Sequence, residues 1–269
     1  MPKKNSLLLT ALLVLAVPAI ARAEAKPQDT EQWAPVPAKV TPGDDSVAAL
    51  PPPSDAIVLF NGVDLKEWVS SKDHALPARW RVDAANGLLT VDKSAGNIET
   101  RRLFRNFQLH LEWRIPADIQ GEGQARGNSG VFLASTGPGD EGYEVQILDS
   151  WNNPTYVNGQ AASIYKQAAP LVNASRRPGQ WQSYDIVWTA PVFLPDGQVK
   201  TPAYVTVMHN GVLVQNHVAL AGETRYIGAP SYGHPHERAA IKLQAHGDPS
   251  APVSFRNVWV RELDQGLPR

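Results

Sequence analysis

The sequence predicts an all-β protein, a sandwich of two mainly antiparallel sheets. Three observations predict it. Phe107, Leu109, Leu111, Trp113 and Ile115 alternate with Gln108, His110, Glu112 and Arg114, and a period of two marks a strand with one buried face. Short apolar runs recur between residues 57 and 260, separated by Asn-Gly, Gly and Pro turns, which is the pattern of an all-β sandwich. No amphipathic helix of ordinary length is legible in that span.

Residues 1–23 have the order of a secretory signal peptide: Lys3 and Lys4, an apolar stretch from Leu7 to Ile20, then Ala21-Arg22-Ala23 as a small-x-small cleavage pattern. The apolar run is shorter than the ~20 residues that span a bilayer. No Cys follows it. The expectation is therefore cleavage near Glu24, no membrane anchor, and a periplasmic or secreted bacterial protein. The leader removes three cations and no acid, so the formal net charge of −1 becomes −4. A mildly acidic chain has no electrostatic reason to bind nucleic acid or an anionic membrane. Disulfides form in such a compartment, but the chain has no Cys, so the core alone must hold the fold.

Residues 24–54 are rich in Pro, Ala and acids, with Pro27, Pro35, Pro37, Pro42 and Pro51-Pro52-Pro53. They read as an extended, partly polyproline linker. The alternative, a proline motif for a partner protein, has no partner groove to point to. One domain is expected over residues 55–264, within the ~200–250 residues that single all-β domains reach.

The domain opens with Ile57-Val58-Leu59-Phe60, ended by the turn pair Asn61-Gly62. The runs 80–82 and 88–91 flank Asn86-Gly87, a hairpin signal because both turn residues tolerate positive φ. Residues 121–130 are Gly-rich but lack the Lys-Ser/Thr of a phosphate loop, and no helix pattern follows. Residues 127–133 and 143–149 read as strands joined by a Gly/Pro turn. Residues 181–189 and 204–208 are further strands, and Asn210-Gly211 turns the latter into Val212-Leu213-Val214. Residues 240–246 and 253–260 are the last two.

In the 143–149 strand, Tyr143, Val145 and Ile147 share one face, and Glu144 and Gln146 the other. Such a strand belongs to a sheet with one buried and one solvated surface. From periodicity alone Glu144 is a solvated carboxylate and His246 a surface histidine at a strand end. His246 shares its face with Lys242 and Gln244.

A set of motifs changes that reading. Leu59-Phe60-Asn61-Gly62 with Leu65 and Trp68 comes first. Gly127-Asn128-Ser129-Gly130, residues 143–149 and residues 178–186 follow. Ala190-Pro191-Val192-Phe193, Leu243-Gln244-Ala245-His246-Gly247 and Phe255-Arg256-Asn257-Val258-Trp259-Val260 close the series. In this order and spacing they resemble the 3-keto-disaccharide hydrolase family, long catalogued as a domain of unknown function (DUF1080). The resemblance runs from about Ala56 to Glu262. It implies a concanavalin A-like jelly-roll β-sandwich and activity on glycosides oxidised to a ketone at C3. Ala245 departs from the family, which often has Asp before the His-Gly pair.

Glu144, Gln146 and Asp149 form E-x-Q-x-x-D, which resembles the E-x-D-x-(x)-E strand of laminarinase-type glycosidases. Those enzymes flank the glycosidic bond with two carboxylates. Here the middle acid is an amide, and the odd offset puts Asp149 on the other face unless a bulge intervenes. A 3-keto sugar needs less. The ketone acidifies the C2 hydrogen, one base removes it, an enolate forms, and the C1 substituent leaves by β-elimination. Water addition then completes net hydrolysis.

The candidate catalytic residues are Glu144 and His246, either of which can be the base. Lys242, Arg126 or a bound divalent metal can steady the oxyanion; metal dependence stays open. Candidate substrate contacts are Arg126, Asn128, Gln146, Asp149, Trp151, Lys242 and Gln244. Trp151 sits in a polar loop and is either a sugar-stacking platform or a cap on the sandwich. The strand tryptophans, Trp80, Trp113, Trp181, Trp188 and Trp259, are expected mostly in the core. His234-Pro235-His236-Glu237 reads as a loop, since nothing around it resembles the supporting shell of a metal site. A non-catalytic carbohydrate-binding module is the competing function for this fold. A laminarinase-like hydrolase of unoxidised glucans is disfavoured by Gln146.

Overall fold

The computed structural model describes residues 24–44 and 51–264. The leader expected at residues 1–23 lies outside the described residues.

The strands run in chain order. They begin with β1 (Ala38–Lys39), β2 (Ile57–Phe60), β3 (Trp68–Ser70), β4 (Arg81–Asp83), β5 (Leu88–Thr90) and β6 (Ile98–Thr100). Then come β7 (Phe107–Arg114), β8 (Ser129–Ser135), β9 (Gly142–Ile147), β10 (Val172–Asn173), β11 (Trp181–Thr189) and β12 (Val192–Phe193). The series ends with β13 (Val199–Thr201), β14 (Tyr204–His209), β15 (Val212–Ala219), β16 (Lys242–Leu243) and β17 (Ser254–Glu262). Helical structure among the described residues is limited to three 3₁₀ turns.

Two sheets make the sandwich. The larger has eight strands in the order β15-β14-β11-β7-β17-β5-β4, with β2 also paired to β17. The smaller has five, β3-β6-β16-β8-β9. Every pairing within these two sheets is antiparallel. Both expected hairpins form. Gly87 has φ +66° between β4 and β5, and Asn210 and Gly211 have φ of +53° and +77° between β14 and β15. These are values that Asn and Gly adopt at little cost.

The core lies between the sheets. Tyr143 of β9 meets Trp188 of β11 at 5.2 Å between ring centroids. Trp113 of β7 meets Tyr184 of β11 at 5.4 Å, edge to face, and the Tyr184 hydroxyl donates to Gln146 O across the gap at 2.7 Å. Such aromatic pairs contribute about 0.5–1.5 kcal/mol each beyond their burial. Trp68, Trp113 and Trp188 are fully buried. Trp181 instead faces outward, where the guanidiniums of Arg114 and Arg256 cover its ring at 4.6 and 4.0 Å.

Three expectations are revised. The outward face of β9 is not solvated: loops cover it, and all six of its residues are buried. Periodicity reports which residues share a face and carries nothing about what lies above that face. Residues 240–246 pair as a strand only at Lys242–Leu243. The 24–44 segment is extended as expected of a linker, but it is docked on the sandwich. β1 pairs in parallel with β10, and Lys39 Nζ donates to Asn152 Oδ1 at 2.6 Å.

Candidate active site

A cleft of about 620 Å³ opens on the outer face of the five-stranded sheet. Its floor is built by Glu144 and Gln146 of β9, Asn128 just before β8, and Gln244 and His246 just after β16. β16 and β9 are the two neighbours of β8, so the sheet itself brings these sequence-distant residues together. The walls come from loops, including Gln124, Tyr156, Tyr165, Thr224, Tyr226 and Asp248, and from Glu31 of the N-terminal segment. This size suits a small-molecule site.

Glu144 is 4% exposed. Its carboxylate lies over Gly130 of β8, where a Cβ would stand 2.4 Å from Oε1. The backbone of Glu144 donates to Thr224 Oγ1 at 3.0 Å, but no hydrogen bond reaches its carboxylate among the described residues. Burial raises its pKa well above the usual glutamate value. The charge of Asp140 adds to the rise and the attraction of Lys242 only partly offsets it.

Beside it the amides form a chain. Gln146 Nε2 donates to Asn128 Oδ1 at 2.9 Å, and Asn128 Nδ2 donates to Gln124 O at 2.8 Å. His246 places Nδ1 3.0 Å from Asp248 Oδ2. A proton on Nδ1 is held there, which leaves Nε2 as the ring nitrogen available to a ligand. Asp248 is anchored by Lys93 at 3.1 Å and by the Ser250 hydroxyl. Burial alone would raise its pKa; hydrogen bonds from His246, Ser250 and Lys93 outweigh burial and hold it below the usual carboxylate range.

Tyr156 and Tyr165 share a hydroxyl–hydroxyl hydrogen bond of 2.7 Å in the wall. Burial pushes Tyr156 up to about 12 and Tyr165 upward as well. Both therefore stay protonated; one hydroxyl donates to the other, which leaves one O–H of the pair to donate to a ligand.

Four of the expected ligand contacts lie outside this cleft. Lys242 is fully buried, and its ammonium donates to the carbonyls of Gly137, Gly139 and Glu141 at 2.6, 2.7 and 3.1 Å. It ties down the β8–β9 turn. Arg126 and Asp149 form an ion pair at 2.7 Å, and Asp149 also accepts from Trp151 N at 3.0 Å. The Trp151 ring is covered by the Arg177 guanidinium at 5.6 Å. Ser129 donates its hydroxyl to Gln244 O at 2.7 Å. In the His-Pro-His loop, His234 Nδ1 lies 2.8 Å from Glu223 Oε2. No group of three or more His, Cys, Asp or Glu among the described residues is arranged to hold a metal ion.

The sequence reading missed Tyr156, Tyr165, Asp248 and Glu31. Tyr156 and Tyr165 stand in irregular chain with no period to expose them. Asp248 had a usable signal, since it lies two residues after His246, within reach of the same ring. Glu31 sat in what read as a linker.

The domain compares closely with known proteins. A 3-keto-disaccharide hydrolase of Bacteroides thetaiotaomicron is 25% identical over 243 residues, covering 77% of this chain and 78% of the relative. A crystal structure of a candidate glycosyl hydrolase from Parabacteroides distasonis is 51% identical, with a TM-score of 0.74, over 88% of this chain and 96% of that one. A second from the same organism, 20% identical with a TM-score of 0.57 over 78% and 94%, shares the fold. The profile of the 3-keto-alpha-glucoside-1,2-lyase-like domain matches residues 55–261. The sandwich, its cleft and this match agree: the chain is an enzyme belonging to the family of 3-keto-alpha-glucoside-1,2-lyase-like domains.

Proposed function

We propose that the enzyme cleaves 3-keto-glycosides by removing the C2 proton and eliminating the C1 substituent. The observation that carries this reading is the Glu144 carboxylate. It lies in the cleft with a raised pKa and no hydrogen-bond partner among the described residues, so it is a stronger base than an ordinary glutamate.

The electrons balance as follows. Glu144 takes the C2 proton, and the C2–H pair passes into the enolate of the C3 ketone. The enolate collapses to the ketone, a C1–C2 double bond forms, and the C1–O bond breaks with its pair leaving on the aglycone oxygen. That oxygen takes a proton from Nε2 of a doubly protonated His246, which keeps its Nδ1 proton against Asp248 and is left neutral. The Tyr156–Tyr165 pair supplies one O–H donor toward the enolate oxygen, since Lys242 and Arg126 are committed elsewhere. Addition of water across C1–C2 then gives the free 3-keto sugar. Asp149, bound to Arg126 outside the cleft, cannot partner Glu144 in direct displacement, which requires two carboxylates about the same bond. On the strength of the leader-like residues 1–23, the reaction is placed in the periplasm or outside the cell.

The test is an assay of the purified protein on a 3-keto-glucoside and its unoxidised parent. Cleavage of the first alone is expected. Cleavage of both at similar rates would defeat the elimination reading, and binding without turnover of either would point to a carbohydrate-binding module.

A further inference from the structure

The family domain begins at residue 55, yet the cleft has a wall that comes from before it. Glu31 lines the cleft, carried there by a segment that the domain grips at several points. Gln32 N donates to Asn158 Oδ1 at 2.9 Å, and Asn158 Nδ2 donates to Thr30 O at 2.9 Å. Val157 N donates to Gln32 O at 2.6 Å. Asn158 is fully buried, so its amide is committed to this segment, and without the segment both its polar atoms would lose their partners. Lys166, also buried, donates to Pro27 O at 2.6 Å and to Tyr226 O at 2.8 Å. One ammonium thus ties the segment to the Tyr226 loop, and both contribute to the cleft wall. Trp33 packs edge-on against Tyr156 at 6.2 Å, beside the tyrosine pair.

We propose that the 24–44 segment is a built-in wall of the active cleft, and that Glu31 is a positioning residue for the leaving sugar of a 3-keto-disaccharide. This rests on the 3-keto-glycoside reading above. The chemistry of the two rings decides which one Glu31 serves. The oxidised ring presents a carbonyl and then an enolate, and a carboxylate repels both. The leaving sugar presents hydroxyl donors, which a carboxylate accepts in charge-assisted hydrogen bonds. A wall of this kind gives specificity for a hydroxylated leaving group without adding a base near the C2 proton.

The experiment uses the full chain. Glu31→Ala should raise KM for a 3-keto-disaccharide about tenfold, the order of one charge-assisted hydrogen bond, and change kcat less than about threefold. With methyl 3-keto-glucoside, which lacks the second ring, the effect on kcat/KM should shrink to about twofold or less. Equal penalties on the two substrates, or none on the disaccharide, would overturn the proposal. If the wild type turns over neither substrate, the 3-keto-glycoside reading fails first, and calorimetry decides the role of the wall separately. A tenfold weaker affinity of Glu31→Ala for the 3-keto-disaccharide supports it. Equal affinities, or no binding by the wild type, overturn it.

Discussion

Gly130 and Glu144 are neighbours on adjacent strands, and the carboxylate of one occupies the space that a side chain on the other would fill: a Cβ on Gly130 would stand 2.4 Å from Glu144 Oε1. Gly130 is not among the glycines with positive φ, so its backbone tolerates any residue. The requirement is room for the carboxylate. Gly130→Ala should therefore fold, with Tm within a few degrees of wild type, because the obstructing atom is the end of a flexible side chain. It should displace the base and lower kcat/KM by about 10²–10⁴-fold, the usual cost of losing general-base catalysis. Wild-type activity with an intact fold would remove Glu144 from the reaction.

Burial makes Glu144 a strong base for the proposed reaction and a liability for stability. A base must be deprotonated, so kcat/KM should fall as pH drops through its raised pKa, above the ordinary glutamate range. The sign for stability is the reverse. In the window between the unfolded pKa and the raised folded one, the folded state holds more protons, and stability declines as pH rises. Glu144→Gln removes that decline. The variant should be catalytically weak yet more stable than wild type at pH values above the raised pKa. Denaturant unfolding of both proteins across pH checks this; equal pH profiles would contradict a strongly raised Glu144.

The sandwich was legible because alternation at residues 107–115 and the Asn-Gly turns are local signals that the sheets retain. The floor of the cleft was legible through Glu144, Gln146, Asn128, Gln244 and His246, which the resemblance had grouped before the pairing of β8 with β9 and β16 placed them together. Lys242 was misplaced because it shares a strand face with Gln244, and strand parity cannot show that the β8–β9 turn folds over that face and takes the ammonium for its carbonyls. Tyr156, Tyr165 and Glu31 come from chain without periodicity, whose position is set by long-range contacts such as those of Asn158 and Lys166.

The burial of Lys242 leads to a stability prediction. It lies 3.5 Å from Glu99 Oε1 and holds three turn carbonyls. Lys242→Met keeps the stem and deletes the charge, leaving Glu99 and the carbonyls without their donor. Breaking a buried ionic network by removing one partner typically costs about 3–5 kcal/mol. Urea unfolding should show a loss of that order. A loss below about 1 kcal/mol would mean that the turn holds itself.

On the outer face of the eight-stranded sheet, His110 stacks on Trp259 at 5.2 Å and lies 2.7 Å from Asp185 and 3.7 Å from Glu112. Burial works against the imidazolium, but its interactions with the Asp185 and Glu112 carboxylates, which accept from the ring N–H groups, outweigh burial and raise the His110 pKa to about 9. The stabilisation is fully present below the ordinary histidine value of 6.5 and is lost as pH rises through about 9. His110→Gln should be less stable than wild type at pH 6, and the difference should narrow by pH 10. A difference independent of pH would show that the ring stabilises by packing alone.

The division of labour between Glu144 and His246 is open to one decisive comparison. Loss of the base should reduce C2 exchange as well as cleavage, whereas loss of the acid for the leaving oxygen should spare the first proton transfer. Glu144→Gln should therefore slow both deuterium incorporation at C2 in D₂O and release of the aglycone by about 10²–10⁴-fold. His246→Ala should slow release for poor leaving groups, and much less for an activated aryl leaving group that departs without a proton. In the wild type, the hydrated product should carry deuterium at C2, since the proposed route adds water across C1–C2 after elimination. If His246→Ala abolishes exchange at C2 while Glu144→Gln retains it, the base is His246, held by Asp248. In that case the buried Glu144, whose raised pKa keeps it protonated further up the pH scale, is the acid.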